Sequence, residues 1–572
     1  MGLSHWDEYY FIETAAWFMN VDWGSFLPWE PPIFPFLLSI MFRVFGLYDY
    51  VAVGLSELMA LSLCILVFWW TRREYGSPTA ILSILVLGST PMFIYYAKMA
   101  LTDMTFTFFF SATVFAYLEA LRSRRSVVFF VSGLLLAVTM GVKYNGFQPL
   151  LVILIFIPFY LSVFRPKSLL VNGGSCFRRL LSFMLKLLLS LVPAFVLSLL
   201  FIAYLGGSFV PSVSGFIGLS ENFFSQFNLG LSYLANNVFA NKAGELRPEL
   251  FVTGGFYGEV IVEYVGLPVL VLGVIGAARG IVERRVSIIL LMIWVGFVFV
   301  FFSSLPGTWP RVILPLVPPL IMLAGRGAVS CVEAIGRLST VRTLRLYRKV
   351  RLDASVKVCF VIILILVNLY SSIPAITNAH SGYREAADFI AANVPNGDFV
   401  FYVGQPVLLF YFHSLYTAGK YAVIVSDIGS MNASYAVVLD FLAKLNPYYA
   451  QIEAHVSQMT LVAKFSDGPP TINMLDSVSF SGLRQLESDP DLMSIRIYFQ
   501  SPSKLTNSSA QSNSVGGLSP MQGLAHVSFS DFENSSIPLV CMMLRSAESF
   551  SVHKDRPGAS YEKDSACAIP LH

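Results

Sequence analysis

The chain has 572 residues, of which 55% are hydrophobic and only 13% are charged. Soluble domains are about 45–50% apolar and about 25% charged, so this composition excludes an ordinary soluble protein and predicts many membrane-spanning helices. The net charge of +3 excludes little, because the distribution of charge along a membrane protein matters more than its sum.

Apolar stretches of helical length recur over the first two thirds of the chain and predict ten spanning helices. They fall at about 50–70, 79–97, 104–121, 127–142, 147–164, 183–205, 265–280, 286–303, 312–325 and 357–374. The stretch 33–46 is shorter and contains Arg43. We expect it to lie on the membrane surface or to re-enter the membrane rather than to cross it.

Basic residues cluster in every second loop, which the positive-inside rule assigns to the cytoplasm. The clusters are Arg72 and Arg73; Arg122, Arg124 and Arg125; Arg165, Lys167, Arg178 and Arg179; Arg279, Arg284 and Arg285; and the stretch 326–357. The alternate loops, the start of the chain and everything after Pro374 are therefore predicted to lie outside.

Three regions are predicted along the chain. Residues 1–376 form a membrane domain in which 206–264 is a long external loop, and 501–572 form a Ser/Asn-rich linker and tail. Between them, 377–500 is predicted to be an extracytoplasmic α/β domain, because GYREAADFIAANVPNGDFVFYVG reads as a helix, a Pro-Asn-Gly turn and a strand. ASYAVVLDF predicts a further strand, and NPYYAQIEAHVSQMTLVAKF a helix followed by a strand.

Several polar features agree with an external C-terminal part. Asn432, Asn507 and Asn534 each begin a glycosylation-type triplet. Cys541 and Cys567 lie in the same part, where an oxidising exterior permits a disulfide. Whether this pair is bridged stays open from the sequence.

The residues that indicate chemistry are acids that this topology brings to the external side. Asp7 and Glu8 precede the first span, and Asp103 lies between the second and the third. Acids at the edge of the hydrocarbon layer are costly and often mark function. One such acid by itself is usually a solvated loop residue or a helix cap. Two acidic sites in successive external loops favour a general base or binding of a divalent cation.

Three basic residues lie at predicted helix ends on the same side: Lys98, Lys143 and Arg311. Each alone is typical of an anchor at the membrane interface. Together with the acids they form a set that could hold a phosphate, to which Arg offers a fork and Lys a point charge. Acids and phosphate-binding cations at one membrane face indicate transfer of a group from a phosphorylated lipid.

The order of these motifs resembles that of the GT-C membrane glycosyltransferases. The resemblance rests on an Asp-Glu pair followed by Tyr and an alanine-rich helix, the element WEPPIFPFL, a basic residue before ALTDM, then GVKYNG and TWPRVILPLVPPLIMLAGRG. Within that superfamily the pattern is similar to the family 39-like group of protein O-mannosyltransferases and lipid A aminoarabinose transferase. It covers about residues 1–330, and a segment similar to GYREAADFI and its strand follows the last helix in many prokaryotic members.

The resemblance implies a polytopic helical fold of about 10–11 transmembrane helices with a C-terminal extracytoplasmic α/β domain. It implies a plasma-membrane enzyme that takes a sugar from a dolichyl or undecaprenyl phosphate and transfers it, with inversion, to a hydroxyl of a protein, lipid or glycan outside the cytoplasm. No motif indicates a nucleic acid, a soluble nucleotide or a redox cofactor.

The resemblance also implies roles for particular residues. Asp7 matches the base that deprotonates the acceptor hydroxyl, and Glu8 matches the second acid of that pair. Asp103 matches the acid that positions the acceptor or a metal; with Asp7 it would be the ligand set for a divalent cation, Mg or Mn. The helix-end positions expected to hold the lipid phosphate are Lys143, Arg311 and Lys98.

The chain departs from the superfamily pattern in two places. Members have a transmembrane helix before the Asp-Glu pair, whereas this chain starts six residues before it. Either that helix has been lost or the start codon is assigned too far downstream, and we expect the second, which would give eleven spans. Glu30 stands in the Pro-Pro element where aminoarabinose-type enzymes have Lys, which leaves the donor contact there open.

Two other classes of function fit the composition. A transporter or flippase would also have many helices and basic cytoplasmic loops, with Glu57, Glu119 and Glu263 as its candidate residues. The notable charges lie at external helix ends rather than at mid-span, where transport sites usually lie. A non-catalytic scaffold that displays the external domain is the other alternative. Of these three classes of function, only an enzyme would require the Asp7 carboxylate for activity.

Overall fold

The structure, a computed structural model, describes residues 3, 6–21, 23–24, 31–143, 145–163, 185–193, 196, 248–304, 309–341, 359, 362–373, 381–394, 399–403, 407–415, 422–425, 435–439, 453–454, 456–466 and 494–499. Four predictions lie outside these residues: the tail 501–572, the loop segment 206–247, the three glycosylation-type triplets and the pair Cys541 and Cys567. Glu30 lies outside them as well.

The described residues before 376 are mostly helical. The helices are α1 (Trp6–Phe18), α2 (Ile33–Phe45), α3 (Asp49–Tyr75), α4 (Ser77–Gly88), α5 (Pro91–Ala97), α6 (Thr102–Ser123), α7 (Ser126–Val142), α8 (Gln148–Val163), α9 (Pro248–Ile261), α10 (Leu267–Val282), α11 (Val286–Ser303), α12 (Val317–Val341) and α13 (Ile362–Ile373). A π-helical turn, Val262–Gly266, joins α9 to α10, and a 3₁₀ helix, Pro310–Leu316, leads into α12. Residues 185–193 are also helical.

Among the described residues, five helical segments are long and apolar enough to cross a membrane, and a sixth results if α4 and α5 count as one span. Four shorter apolar helices are α2, α7, α8 and α13. All of these except α2 lie where the sequence predicts spans. The chain is thus a polytopic helical membrane protein.

The span predicted at 79–97 is bent by 64° between α4 and α5. Pro91 opens α5, and Thr90 before it has an extended backbone (φ −79°, ψ 124°). A proline lacks the N–H that would continue the helix and disfavours helical geometry in the residue before it. One proline therefore accounts for the break.

The span predicted at 265–280 begins earlier, because α9 starts at Pro248 and the segment Gly254–Val282 forms one candidate span. Residues 248–264 are consequently helical and not part of the external loop expected at 206–264. Two acids, Glu259 and Glu263, interrupt the apolar run at this point, and the π-helical turn ends at Gly266, whose φ is +101°. For these local reasons the sequence pattern did not predict this helix, which packing stabilises.

Helix α2 has 13 residues, about 20 Å at a rise of 1.5 Å per residue, which is shorter than the hydrocarbon core of about 30 Å. Its buried side chains include Ile33, Phe34, Leu38 and Phe42, and it packs against α1 and α3. The stretch expected to lie on or re-enter the membrane is therefore a short helix packed beside α1.

Helices α10 and α12 pack closely through glycines. A Cβ on Gly276 would lie 1.9 Å from the carbonyl oxygen of Leu323, and one on Gly327 would lie 1.9 Å from that of Leu272. Small residues let helix backbones approach in membranes, where packing replaces the hydrophobic driving force. On the next face of α12, Gly325 lies against Ser83 of α4. Helix α12 therefore packs closely against both α10 and α4.

The basic loops meet at one end of the bundle. Arg122 makes two hydrogen bonds with Glu74, of 2.5 and 2.9 Å, and Arg285 donates to the carbonyl of Glu74 at 2.9 Å. Asp103 and Arg311 lie at the opposite helix ends. The predicted grouping of loops into two ends is thus present in the described residues, and the cytoplasmic assignment of the basic end stays a prediction.

The C-terminal part contains α14 (Tyr383–Asn393), α15 (Val407–Leu415) and strands β1 (Phe399–Val403), β2 (Ala422–Val425), β3 (Tyr435–Leu439), β4 (Thr460–Ser466) and β5 (Ser494–Phe499). The strand order is β2-β1-β3-β5-β4; β1 pairs in parallel with β2 and β3, and β5 pairs antiparallel with β3 and β4. This is the α/β domain expected from the helix–turn–strand pattern.

The glycine contact between α10 and α12 predicts that one added side chain there has a large effect on the stability of the bundle. Gly276→Leu should destabilise the bundle by at least about 1–3 kcal/mol, the usual cost of overpacking, because backbone stands where the side chain must go. Gly296→Leu is the control, since no atom lies within 4 Å of a Cβ there. Thermal unfolding in detergent measures both; equal melting temperatures for the two variants would contradict the packing assigned here.

Candidate functional site

Five charged residues from four elements meet at the end of the bundle opposite to the basic loops. Asp7 and Glu8 lie in the first turn of α1, and Asp103 lies in the first turn of α6. Lys143 directly follows the last residue of α7, and Arg311 lies in the 3₁₀ helix. The positions of the three acids and of Lys143 suit their charges, because helix N-termini favour anions and helix C-termini favour cations; Arg311 is held instead by the acids that it binds.

Arg311 lies between two of the acids. Its Nη2 is 2.6 Å from Oδ2 of Asp7, and its Nη1 is 3.8 Å from Oδ2 of Asp103. The Arg311 side chain is 16% exposed and that of Asp7 24%. One guanidinium fork therefore ties the start of α1 to the start of α6.

Lys143 makes a tight ion pair with Asp103. Its Nζ is 2.5 Å from Oδ1 of Asp103 and 5.7 Å from the centre of the Phe106 ring. The Asp103 side chain is only 2% exposed, whereas that of Lys143 is 21% exposed. Removing one partner from such a buried pair is costly, because it leaves the other group uncompensated.

Glu8 is buried, with 1% of its surface exposed. Its Oε1 accepts a hydrogen bond of 2.7 Å from the backbone N–H of Ala100, which lies in the turn between α5 and α6. The resemblance makes Glu8 the second acid of the catalytic pair. In the structure, its hydrogen bond to Ala100 joins α1 to the segment that precedes Asp103.

Lys98 lies near this group without joining its ion pairs. It follows α5 directly, two residues before Ala100, and its side chain is half-buried. Within the described part of the chain, no ion pair or side-chain hydrogen bond includes Lys98. Of the six residues singled out from the sequence, the structure thus joins Asp7, Asp103, Lys143 and Arg311 by ion pairs. Glu8 lies next to Asp7 on the Ala100 N–H, and Lys98 lies beside the group.

The two candidate metal ligands are not arranged as a metal site. Asp7 and Asp103 both face Arg311, so a divalent cation between them would have to displace the guanidinium. No group of three His, Cys, Asp or Glu side chains with the geometry for a metal ion occurs among the described residues.

Sequence reasoning missed two partners in this network. Phe106 lies three residues after Asp103 on α6, a spacing that places side chains on one helix face, so it could have been found. The Ala100 N–H could not, because no residue pattern marks a backbone donor that binds a side chain 92 positions away.

A comparison with protein families matches residues 29–201 to the model for dolichyl-phosphate-mannose-protein mannosyltransferases. The matched segment contains Lys98, Asp103 and Lys143 but ends before Arg311 and begins after Asp7. A curated relative, an uncharacterized protein of Aquifex aeolicus (strain VF5), is 27% identical over 142 residues. That match spans 25% of this chain and 28% of the relative's length.

Two solved structures of ArnT from Cupriavidus metallidurans are similar to most of the chain. The apo structure has a TM-score of 0.50 at 16% identity and covers 87% of this chain and 94% of its own. The structure bound to undecaprenyl phosphate has a TM-score of 0.52 at 17% identity and covers 88% and 95%. At these identities the likeness concerns the fold alone, and the apolar helices make the protein an integral membrane protein.

The buried pair of Asp103 and Lys143 predicts a stability effect with a rescue. Lys143→Met leaves a buried carboxylate without its nearest cation, and breaking a buried pair costs about 3–5 kcal/mol. We expect the lower end of this range, because Lys143 is partly exposed. Asp103→Asn added to Lys143→Met should restore part of the loss, since a neutral amide needs no counter-charge.

Thermal unfolding in detergent measures these variants. Lys186→Met is the control, because its Nζ donates to the carbonyl of Arg124 at an exposed site and has no other partner among the described residues. A double variant as unstable as the sum of its two single changes would show that the pair is not coupled.

Proposed function

We propose that the protein transfers a sugar from a polyprenyl-phosphate-linked donor to an acceptor hydroxyl on the extracytoplasmic side of the membrane. Three observations support this function. The fold is that of membrane glycosyltransferases, residues 29–201 match a mannosyltransferase family model, and acids and cations gather at one end of the bundle. One similar structure binds undecaprenyl phosphate, which is a polyprenyl phosphate.

Asp7 is chosen as the general base because its side chain is the most exposed of the three acids. The Asp7 side chain is 24% exposed, whereas Asp103 is 2% exposed and Glu8 1%. A general base must come within hydrogen-bond reach of the proton that it accepts. Asp7 therefore acts as the base, Arg311 orients its carboxylate, and the two buried acids hold α1 and α6 in place.

The reaction is a single displacement. Asp7 takes the proton of the acceptor hydroxyl as the acceptor oxygen attacks the anomeric carbon from the face opposite to the phosphate. The bond between that carbon and the phosphate oxygen breaks, and the leaving polyprenyl phosphate keeps the electron pair. Attack from the opposite face inverts the anomeric configuration, and no covalent intermediate with the protein forms.

The departing phosphate needs cations, which stabilise the charge that develops on it. Lys98 is the best placed of the three candidates, because no carboxylate engages it in the described part of the chain. Arg311 is already paired with the carboxylates of Asp7 and Asp103, and it lies beside the proposed base. Lys143 is held at 2.5 Å by Asp103, so its main role is to keep that carboxylate in place.

Asp7→Asn tests the base. It should lower the rate of sugar transfer from a polyprenyl-phosphate sugar to acceptors in a lipid and glycoprotein extract by at least about 100-fold, the usual contribution of general base catalysis. Donor binding should change little. The purified protein in nanodiscs with a radiolabelled sugar gives both quantities, and the labelled product names the acceptor.

The matched control is Glu57→Gln, which changes an exposed acid of α3 that a transporter could use but this site does not. Transfer by wild type and by Glu57→Gln, but not by Asp7→Asn, is the expected pattern. Equal transfer by wild type and Asp7→Asn would remove Asp7 from the mechanism. Donor movement across vesicles that depends on Glu57, without transfer, would favour the transporter.

Lys98→Met tests the phosphate contact. Loss of one charge-assisted hydrogen bond is worth about 1.5–3 kcal/mol, so donor affinity should fall by roughly tenfold or more. Lys98→Arg should restore part of it, because a guanidinium also binds phosphate. Titration of a polyprenyl-phosphate donor in nanodiscs measures the affinity; unchanged affinity in Lys98→Met would place the phosphate elsewhere.

A further inference from the structure

A buried tyrosine of the C-terminal domain bonds two parts of the membrane domain with one hydroxyl. The Tyr411 hydroxyl, on α15, accepts the backbone N–H of Leu3 at 3.0 Å and donates to Oδ2 of Asp49 at 3.2 Å. Burial raises the pKa of Tyr411 well above its ordinary value, and the Asp49 charge raises it further. The hydroxyl therefore stays protonated and available as a donor.

Leu3 is held on both sides of its backbone by the same domain. Its N–H donates to Tyr411, and its carbonyl oxygen accepts a hydrogen bond from the hydroxyl of Ser381. The Leu3 side chain is buried, and α15 packs against α1. We name these contacts among Leu3, Asp49, Ser381 and Tyr411 the Leu3 junction.

The Leu3 junction lies close to the proposed base along the chain. Four positions separate Leu3 from Asp7, which is at most about 14 Å of extended chain. Helix α1 has 13 residues, and helices of fewer than about 12–15 residues are marginal without tertiary contacts. The first turn of α1 carries Asp7, so an anchor just before this turn limits how far the carboxylate can move.

Other contacts also restrain the first turn. Arg311 binds the Asp7 carboxylate at a partly exposed site, and Glu8 accepts a hydrogen bond from the backbone N–H of Ala100. The Leu3 junction adds a restraint on the backbone that precedes this turn. A displacement of about 1 Å of a catalytic group can cost 100-fold in rate. An anchor that only orders the start of α1 would therefore change the turnover rate.

We infer that Tyr411 is a positioning residue for Asp7, through its hydrogen bonds to Leu3 and Asp49, and that the C-terminal domain thereby completes the active site. This inference rests on the function proposed above. Tyr411 acts through Leu3 and the start of α1, and the geometry gives it no role in binding the donor phosphate.

The chain offers a matched pair of variants. Tyr411→Phe keeps the buried ring and removes only the hydroxyl that forms the junction. Tyr435→Phe removes a hydroxyl that donates to the carbonyl of Asn393 at 3.1 Å, within the C-terminal domain. Tyr411→Phe deletes two hydrogen bonds that leave the domain, and Tyr435→Phe deletes one within it. Both remove a tyrosine hydroxyl of the same domain, but only the first change reaches the chain before α1.

Two readouts separate positioning from stability. We expect Tyr411→Phe to lower kcat at least tenfold with the donor KM within twofold, while Tyr435→Phe keeps kcat. Amide hydrogen exchange at residues 10–13, whose N–H groups close the first turn of α1, should quicken at least tenfold in Tyr411→Phe alone. Asp49→Asn should retain most of the rate, because its amide oxygen can still accept from Tyr411, whereas Asp49→Leu should behave like Tyr411→Phe.

The outcomes separate this inference from the function on which it rests. Equal kcat and equal exchange in the two tyrosine variants would overturn the positioning role while transfer by wild type upheld the enzyme. A rise in donor KM with kcat unchanged in Tyr411→Phe would also overturn it. If wild type transferred no sugar, the proposed function and the catalytic part of the inference would fail together, and the exchange rates would still decide whether Tyr411 orders α1.

Discussion

The arrangement of the charged groups depends on the burial of Asp103. An unpaired carboxylate at the edge of the hydrocarbon layer would cost several kcal/mol. Lys143 at 2.5 Å and Arg311 at 3.8 Å supply the positive charge that it requires. Lys143 follows α7, Arg311 precedes α12, and Arg311 also binds Asp7. The ion pairs of Asp103 therefore also set the distances among these elements.

Charge alone does not distinguish this end of the bundle from the other. At the basic end Glu74 binds Arg122, and Glu283 binds Arg279 and Arg326. Burial alone would raise the pKa of Glu283, but these guanidinium groups hold it below its ordinary value. At the opposite end the acids bind one arginine, one lysine and a backbone N–H. Asp103 and Glu8 there are almost fully buried, whereas Glu283 is 21% exposed, so the depth of burial separates the two ends.

Each charged group of the site lies at or near a helix end, for a reason that the membrane imposes. Backbone groups inside the hydrocarbon layer must be bonded within helices, so loops, turns and charges gather where helices end. A site at such an edge suits a substrate with a lipid tail and a phosphorylated head, since each part meets its own environment. The C-terminal domain lies at the same end, where Tyr411 reaches the start of α1.

The sequence by itself determined the membrane class, most spans and the α/β pattern after Pro374, because these follow from local hydropathy and periodicity. It also picked out Asp7, Glu8, Asp103, Lys143 and Arg311, since charges beside apolar helices are conspicuous. The tertiary structure alone decided that Arg311 lies between two acids and that Lys98 joins no ion pair with the residues that the structure describes. It also showed that Glu8 is buried on a backbone N–H and that α9 begins at Pro248. These facts depend on contacts between residues distant in sequence, which no local pattern encodes.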